Sequence, residues 1–368
     1  MQKFVLLKFI FFFLCLPEIL FAQFLQQSRR DSMRICHNTV DTNYVSKYPD
    51  RFIFTLSQSY RNYEIRFTQT LVADTSNFSA PKWIADANVA SSASIDFDKF
   101  SISFGLKTLP SADTIVQLKG KTTYQSFNFS FSLYRFRVES SYRNYRGFYD
   151  SKSAVYDTSF NTHRIFVQNP SMQMRSLLVK SIFIFNKNKF SYNSSFYNTA
   201  RQLKSAASFL IVSSIYSYQL GADTSLIPKV SQPFYNKFSD LNFFNANGFS
   251  IGPGYAMNLV LWKTFYFNAT ISTLFDMQQR YYSTFNKNYE QRDWRLGFAG
   301  DLRLAVGLNG KRFFYSITSK MDSNSYLGNG FIISPRFISA AVNIGYRFPV
   351  KQREWIKKVK ANKWYQLI

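Results

Sequence analysis

"RDWRLGFAGDLRLAVGL", residues 292–308, is the stretch that decides the fold. Trp294, Leu296, Phe298, Leu302, Leu304, Val306 and Leu308 occupy the even positions, with Gly300 among them. Asp293, Arg295, Asp301 and Arg303 occupy the odd ones, with only Gly and Ala between them. A β-strand sends successive side chains to opposite faces, so this segment has one large apolar face and one charged or small face. The pattern recurs. "FSISFGL" (100–106), "FNFSFSL" (127–133), "FSYNSSF" (190–196), "FYFNATIST" (from 265), "FFYSITSK" (313–320) and "ISAAVNIGYRF" (338–348) all set aromatic or branched residues against Ser, Asn, Gly or Arg. In the last of these, Arg347 falls on the polar side.

Fourteen such segments can be drawn between residues 51 and 348, among them 51–60, 62–72, 84–97, 189–199 and 205–219, many of about ten residues or more, where globular strands typically have about five or six. Very short turns join many of them in pairs, near Asp98, Tyr134, Asn188, Lys263 and Asn309. Longer polar connections (110–121, 147–173, 221–247, 277–291 and 322–335) separate the pairs. If every short turn faces one side, the segment at 205–219 lacks a partner of the right direction before 247. Either 221–247 hides a strand or one drawn segment lies outside the sheet. The expectation is 12 to 14 strands.

Two architectures use strands of this kind. A soluble sandwich buries the apolar face against a second sheet. A transmembrane β-barrel turns it outward to lipid and points the polar face into the lumen. Strand lengths near the 9–11 tilted residues that a bilayer demands, the alternation of tight turns with long loops, and Phe and Tyr near strand ends favour the barrel. The terminal "NIGYRF" also looks like the last strand of an outer-membrane protein. The fold expected is an all-β, antiparallel transmembrane barrel at 51–348. In it Arg295, Asp301, Arg303 and Arg347 face the lumen. "SLLVKSIFIF" (176–185) and "SFLIV" (208–212) are apolar on both faces, which a small plugged lumen or contact with an inner loop would explain. Pro253 removes a ladder donor and predicts a bulge or strand end.

The composition agrees with export. There are 41 Phe, 24 Tyr and 5 Trp in 368 residues, yet mean hydropathy is −0.19, so apolar residues are interleaved rather than clustered. "MQKFVLLKFIFFFLCLPEILFAQ" has a basic start, an apolar run too short for a membrane span and a small residue before Gln23. It reads as a signal peptide cut after Ala22, giving outer-membrane localisation. Residues 23–50 then form a periplasmic lead segment, and Cys36 is a lone thiol. The net charge of +24 points to an anionic partner, either outer-membrane lipid and lipopolysaccharide or a small anionic solute. Export argues against nucleic acid, and no recognition motif for it is present. Residues 349–368 form a basic tail. Trp355, Ile356, Val359 and Trp364 lie near helical spacing there, beside Lys357 and Lys358. This is a short amphipathic helix on anionic lipid or a partner, or else a solvated tail.

Catalytic chemistry has little to work with. The only histidines are His37 and His163, there is no Gly-x-Ser-x-Gly elbow, and two His with one mature Cys cannot build a conventional zinc site. No cofactor is expected. "ARQLKSAASF" (200–209) brings Arg201 and Lys204 together, either as an anion contact at a pore mouth or as a solvated turn. "YPDRF" (48–52), "YRGFY" (145–149), "NKFSY" (188–192) and "RQLKSAASF" occur in an order and spacing that resembles the Bacteroidetes-type domain-of-unknown-function family 4421, over about residues 40–348. Ala207 stands where that family more often has Gly. The resemblance implies a secreted, outer-membrane protein and supplies no catalytic residue. The function expected is a non-enzymatic channel or solute-translocating barrel that favours anions. The alternative is a non-conducting structural or interaction barrel whose loops bind a partner or lipopolysaccharide. A lipid-modifying enzyme is the third reading. Oligomeric state is not readable.

Overall fold

A computed structural model describes residues 40–69, 80–108, 110–235, 238–285, 289–328, 330–350 and 354–362. The signal peptide, His37, Cys36 and most of the lead segment lie outside the described residues. The elements are β1 (Val45–Lys47), β2 (Arg51–Gln69), β3 (Lys82–Ala85), β4 (Val89–Phe97), β5 (Phe100–Lys107), helix α1 (Asp113–Lys119), β6 (Thr123–Leu133) and β7 (Phe136–Asp150). Helices α2 (Ser153–Tyr156) and α3 (Ser159–His163) precede β8 (Val167–Ile184), α4 (Asn193–Phe196), β9 (Ala200–Gln202) and β10 (Ala206–Gly221). The rest are β11 (Leu241–Leu261), β12 (Phe265–Thr284), β13 (Glu290–Asn309), β14 (Phe313–Asn324), β15 (Tyr326–Leu327), β16 (Phe331–Pro349) and α5 (Glu354–Ala361).

Twelve strands close a ring in the order β2–β4–β5–β6–β7–β8–β10–β11–β12–β13–β14–β16, and β16 returns to pair with β2 from Arg51↔Pro349 to Gln69↔Phe331. Every pairing is antiparallel, so sequential hairpins alone build the wall. Closure leaves the ring without the two free edges that an open sheet would present. The wall is uneven: β11 has 21 residues and β5 has 8. Above the short side, β3 continues the place of β4 and pairs with both β2 and β7. Between the pairs Tyr60↔Val89 and Tyr63↔Ala85 the β3–β4 side uses one more residue than β2, so the expected single strand at 84–97 is broken by a bulge.

Exposure settles which face points out. On β13, Leu296 is 81% exposed and Phe298 63%, whereas Asp301 and Arg303 are buried. Phe104, Phe209, Ile271, Phe275, Ile317, Val342 and Ile344 continue the exposed apolar surface round the ring. A sandwich would have buried this face. A membrane-spanning barrel leaves it out for lipid.

Four tight connections, at 98–99, 134–135, 262–264 and 310–312, lie at one end with the start of β2 and the end of β16. This is the turn end; the longer connections form the loop end. The fifth turn-end connection, 185–205, departs from expectation. The predicted strand at 189–199, with its tight turn near Asn188, does not exist. The chain instead folds inward through α4 and β9, and β9 pairs with β1. This resolves the direction problem at 205–219: β8 pairs directly with β10. "FSYNSSF" alternates because its rings and its hydroxyls meet different parts of the lumen wall, not because it is extended.

Two backbone details follow from glycine and proline. Pro253 causes neither bulge nor strand end; the β11–β12 ladder skips from Ile251↔Phe275 to Gly254↔Ser272 without changing register. Gly147 sits at a register shift in β7 with φ +86, and a Cβ there would come 2.1 Å from the Lys121 carbonyl oxygen. Gly147→Ala is expected to cost about 1–3 kcal/mol, measured by urea unfolding of the refolded protein. An unchanged midpoint would mean the α1–β6 connection simply moves aside.

Candidate functional site

The lumen is the place where this sequence concentrates charge, and it is braced across at three levels. Nearest the turn end, polar side chains of the wall hold the inturned 185–205 segment. Ser195 donates to Asn258 Oδ1 at 2.8 Å, Asn258 Nδ2 donates to the Ser191 carbonyl at 3.0 Å, and Asn268 donates to Asn258 Oδ1 at 2.6 Å. Asn309 donates to the Ser194 carbonyl at 2.9 Å. The guanidinium of Arg347, fully buried, donates to the carbonyls of Asn198 (2.9 Å) and Gly310 (2.6 Å) and to Asn309 Oδ1 (2.6 Å). It also lies over the Tyr48 and Phe314 rings. Phe190 and Tyr192 of the segment pack on Ile182, Ile184, Leu210 and Val212. That contact explains why "SLLVKSIFIF" and "SFLIV" are apolar on both faces.

The middle level is ionic. Asp301 on β13 takes Lys180 from β8 and Arg303 Nε at 3.0 Å. Arg303 Nη1 also reaches Glu139 on β7 at 2.9 Å and the Tyr192 hydroxyl at 2.6 Å, and Tyr197 donates to Glu139 at 2.6 Å. Beside this network Arg143 on β7 bonds Asp322 on β14 at 2.7 Å and stacks over Phe337. Arg137 lies 3.6 Å from the centre of the Tyr197 ring. Charges this deep persist only when paired and hydrogen-bonded, because the desolvation of each costs several kcal/mol.

Toward the loop end the lumen becomes aromatic. The Tyr63 hydroxyl on β2 donates to that of Tyr218 on β10 at 2.9 Å, spanning the ring, and Tyr63 stacks on Tyr145 with centroids 4.9 Å apart. Tyr216 folds over Gly248, where a Cβ would fall 2.5 Å from its ring, and its hydroxyl donates to Asp276 at 2.6 Å. The 222–240 connection presses down on this layer: Trp83 donates to the Leu226 carbonyl at 2.8 Å and Tyr235 to that of Phe67 at 2.9 Å. Phe238 packs on Tyr282 and Phe331. Between the ionic and aromatic levels lies a cavity of about 90 Å³, lined by Arg143, Lys180, Asp301, Asp322, Tyr216 and Tyr326 among others. It has room for several waters, each needing roughly 10–15 Å³.

The structure brings Asp301 and Arg303 into one network and places Arg347 apart from them, at the turn end. Arg295 lies on the same face of β13 but nearer the loop end, 3.5 Å from Asp293 and with its side chain 45% exposed. Asp293 itself holds the buried Arg280 at 3.1 Å. The structure places Arg201 at the turn end. It donates to the Lys263 carbonyl (2.6 Å) and to Thr264 (3.0 Å), tying β9 to the β11–β12 turn. Lys204 is exposed, with its amine near the Tyr44 ring. Lys358 is exposed on α5, and the side chain of Lys357 lies outside the described residues. On α5, Lys360 bonds Asp50 at 3.1 Å. His163 ends α3 at the loop end. Among the described residues no cluster of three His, Cys, Asp or Glu side chains could hold a metal.

Sequence reading missed Arg137, Glu139, Arg143, Lys180 and Asp322. The signal was there. "FRVESSYRNY" places Arg137, Glu139, Ser141 and Arg143 on one strand face, the same alternation as at 292–308. Lys180 is the single charge inside an otherwise apolar run.

Comparison with known proteins adds the following. A family described as "Domain of unknown function (DUF4421)" matches residues 39–348. No match was found among curated proteins. Among solved structures the chain is similar to the outer-membrane protease OmpT of Escherichia coli, at 10% identity over 82% of this chain and 98% of that one, with a TM-score of 0.37. It is also similar to the toluene transporter TodX of Pseudomonas putida, at 7% identity over 83% and 92%, with a TM-score of 0.27. A third is Neisserial surface protein A, at 6% identity over 80% and 97%, with a TM-score of 0.22.

Proposed function

We propose, for a chain that belongs to the DUF4421 family, a non-enzymatic outer-membrane barrel closed to solutes, whose rigid wall presents its loop end as an interaction face. The observation that carries this reading is the bracing of the lumen from wall to wall: Tyr63 to Tyr218, Arg143 to Asp322, Lys180 to Asp301 and Arg303 to Glu139. An anion channel lined by Arg and Lys needs those cations free and hydrated along an open path. Here Arg143, Lys180 and Arg303 are neutralised by Asp322, Asp301 and Glu139, and Arg347 is held by carbonyls and Asn309, with an aromatic layer above and a folded segment below. On this reading the protein is exported, loses residues 1–22, and inserts with its turn end in the periplasm. Exposed Lys121, Arg164, Lys229 and Arg292 at the loop end offer cations to lipopolysaccharide phosphates.

Planar-bilayer recording of the refolded mature protein tests the closure. The expected result is a heat-modifiable protein that gives no current above leak. Discrete steps with an anion-selective reversal potential would overturn it and return the channel reading.

A further inference from the structure

The turn end carries a second concentration of charge, organised differently from the lumen. Lys47 on β1, Lys99 in the β4–β5 turn, Arg135 in the β6–β7 turn and Lys187 just after β8 come from four separate parts of the chain. Two of them meet at one ring: the Lys187 amine lies 3.7 Å and the Arg135 guanidinium 5.6 Å from the centre of Tyr134. Their proximity is felt electrically. Burial, and then the charges of Lys47, Arg135 and Lys99, push the Lys187 amine down to about 7. Asp98 is the acid that acts on Lys47 and Lys99, and Lys360 also lies 3.8 Å from it.

The position of the cluster says what it meets. Tyr134, Phe136, Phe185 and Ile95 are exposed apolar residues at the same strand ends. The Arg135 guanidinium and the Lys187 amine therefore sit where the lipid-facing surface gives way to water, with the aromatic rings on the apolar side of them. Aromatic side chains and basic groups at such a boundary lie at headgroup level. A soluble polyanion would meet the centre of the turn end. The periphery, beside exposed Phe136 and Phe185, is the place of a lipid.

We propose that Arg135 and Lys187 form a binding site for the phosphate of one anionic phospholipid, of the phosphatidylglycerol class, whose acyl chains lie along Phe136 and Phe185. Its phosphodiester brings a negative charge without a compensating ammonium. Phosphatidylethanolamine carries an ammonium of its own, which the cluster repels. The proposal rests on the membrane-spanning barrel and is independent of whether the lumen conducts.

The test is lipid retention by native mass spectrometry of the refolded mature protein from micelles containing equal phosphatidylglycerol and phosphatidylethanolamine. The wild type should retain the anionic lipid preferentially, and Arg135→Gln/Lys187→Gln should lose the preference by about five-fold per cation removed at low salt. In parallel, NMR titration of the wild-type Lys187 amine should show its pKa rising when phosphatidylglycerol is added, and staying put with phosphatidylethanolamine or inorganic phosphate. The second arm needs no variant, so a misfolded double variant leaves the idea testable. Equal retention of the two lipids, unchanged preference in a folded double variant, or an equal response to inorganic phosphate would each overturn it. Lumen conductance is read separately, so failure here is distinguishable from failure of the closed-barrel reading.

Discussion

Replacing Asp301 with Ala should destabilise the folded barrel by about 3–5 kcal/mol, the cost of stranding buried charge by removing one partner. Asp301 is the acceptor shared by Lys180 and Arg303, and all three side chains are less than a tenth exposed. Without it, two cations face each other across the lumen and Glu139 is left to hold Arg303 alone. Water in the neighbouring cavity can hydrate Lys180 in part, which sets the effect toward the lower figure. The measurement is urea unfolding in lipid vesicles followed by tryptophan fluorescence, with gel mobility before and after heating to show that the barrel forms. The pair Lys180→Met/Asp301→Leu should recover most of the loss, because apolar groups of similar volume need no partner. A single substitution that changes the midpoint by less than the experimental error would mean that Lys180 and Arg303 reach water freely. The lumen would then be wetter than its bracing implies, and the closed-barrel reading would weaken with it.

Much of the architecture was legible in the residues because a barrel wall obeys a local rule. Side-chain direction alternates with period two whatever the strand pairs with, so the alternation at 292–308 marks a strand on its own. Its charged face marks the lumen once the apolar face is known to point out. What alternation does not carry is that last fact: a sandwich writes the same pattern, and only the exposure of Leu296, Phe298 and their neighbours on every strand separates the two. The ring has twelve strands, within the 12 to 14 expected, and two of the fourteen drawn segments are not wall strands of their own: 51–60 and 62–72 are one strand, β2, and 189–199 lies inside the wall. Residues 190–196 alternate, but their alternation reflects Phe190 and Tyr192 packing on β8 and β10 while Ser194 and Ser195 bond the backbone of Ser191 and the side chain of Asn258. Local pattern cannot tell a strand in the wall from a folded segment inside it. The site was legible residue by residue and not as an arrangement. Asp301, Arg303 and Arg347 could each be assigned to the lumen, but which charge meets which depends on the ring order. Lys180 and Asp301 are 121 positions apart in the chain. Arg201 shows the limit: the sequence leaves it between an anion contact and a solvated turn, and the geometry gives the guanidinium to the Lys263 carbonyl and Thr264.

The orientation of the apolar face is itself testable, and the sharpest probe is a charge at one position on it. Ile271 is 56% exposed in the middle of β12, flanked by Tyr255 on β11 and Leu302 on β13. Its chain neighbour Thr270 is buried and sits opposite Arg303. Ile271→Arg should cost about 2–4 kcal/mol in vesicles, the range for a basic side chain on the lipid face near the bilayer midplane. Ile271→Leu should be close to neutral. The comparison separates environments, since both substitutions leave the lumen untouched and neither removes a hydrogen bond. If the exposed face met water, the arginine would be innocuous and would raise solubility. A variant that unfolds at the wild-type urea concentration, together with a parent that stays in solution without detergent, would place the apolar surface in an assembly of protein chains and take the bilayer out of the argument. A loss in the predicted range would fix lipid as the solvent of this face, and with it the inward direction of every charge that braces the lumen.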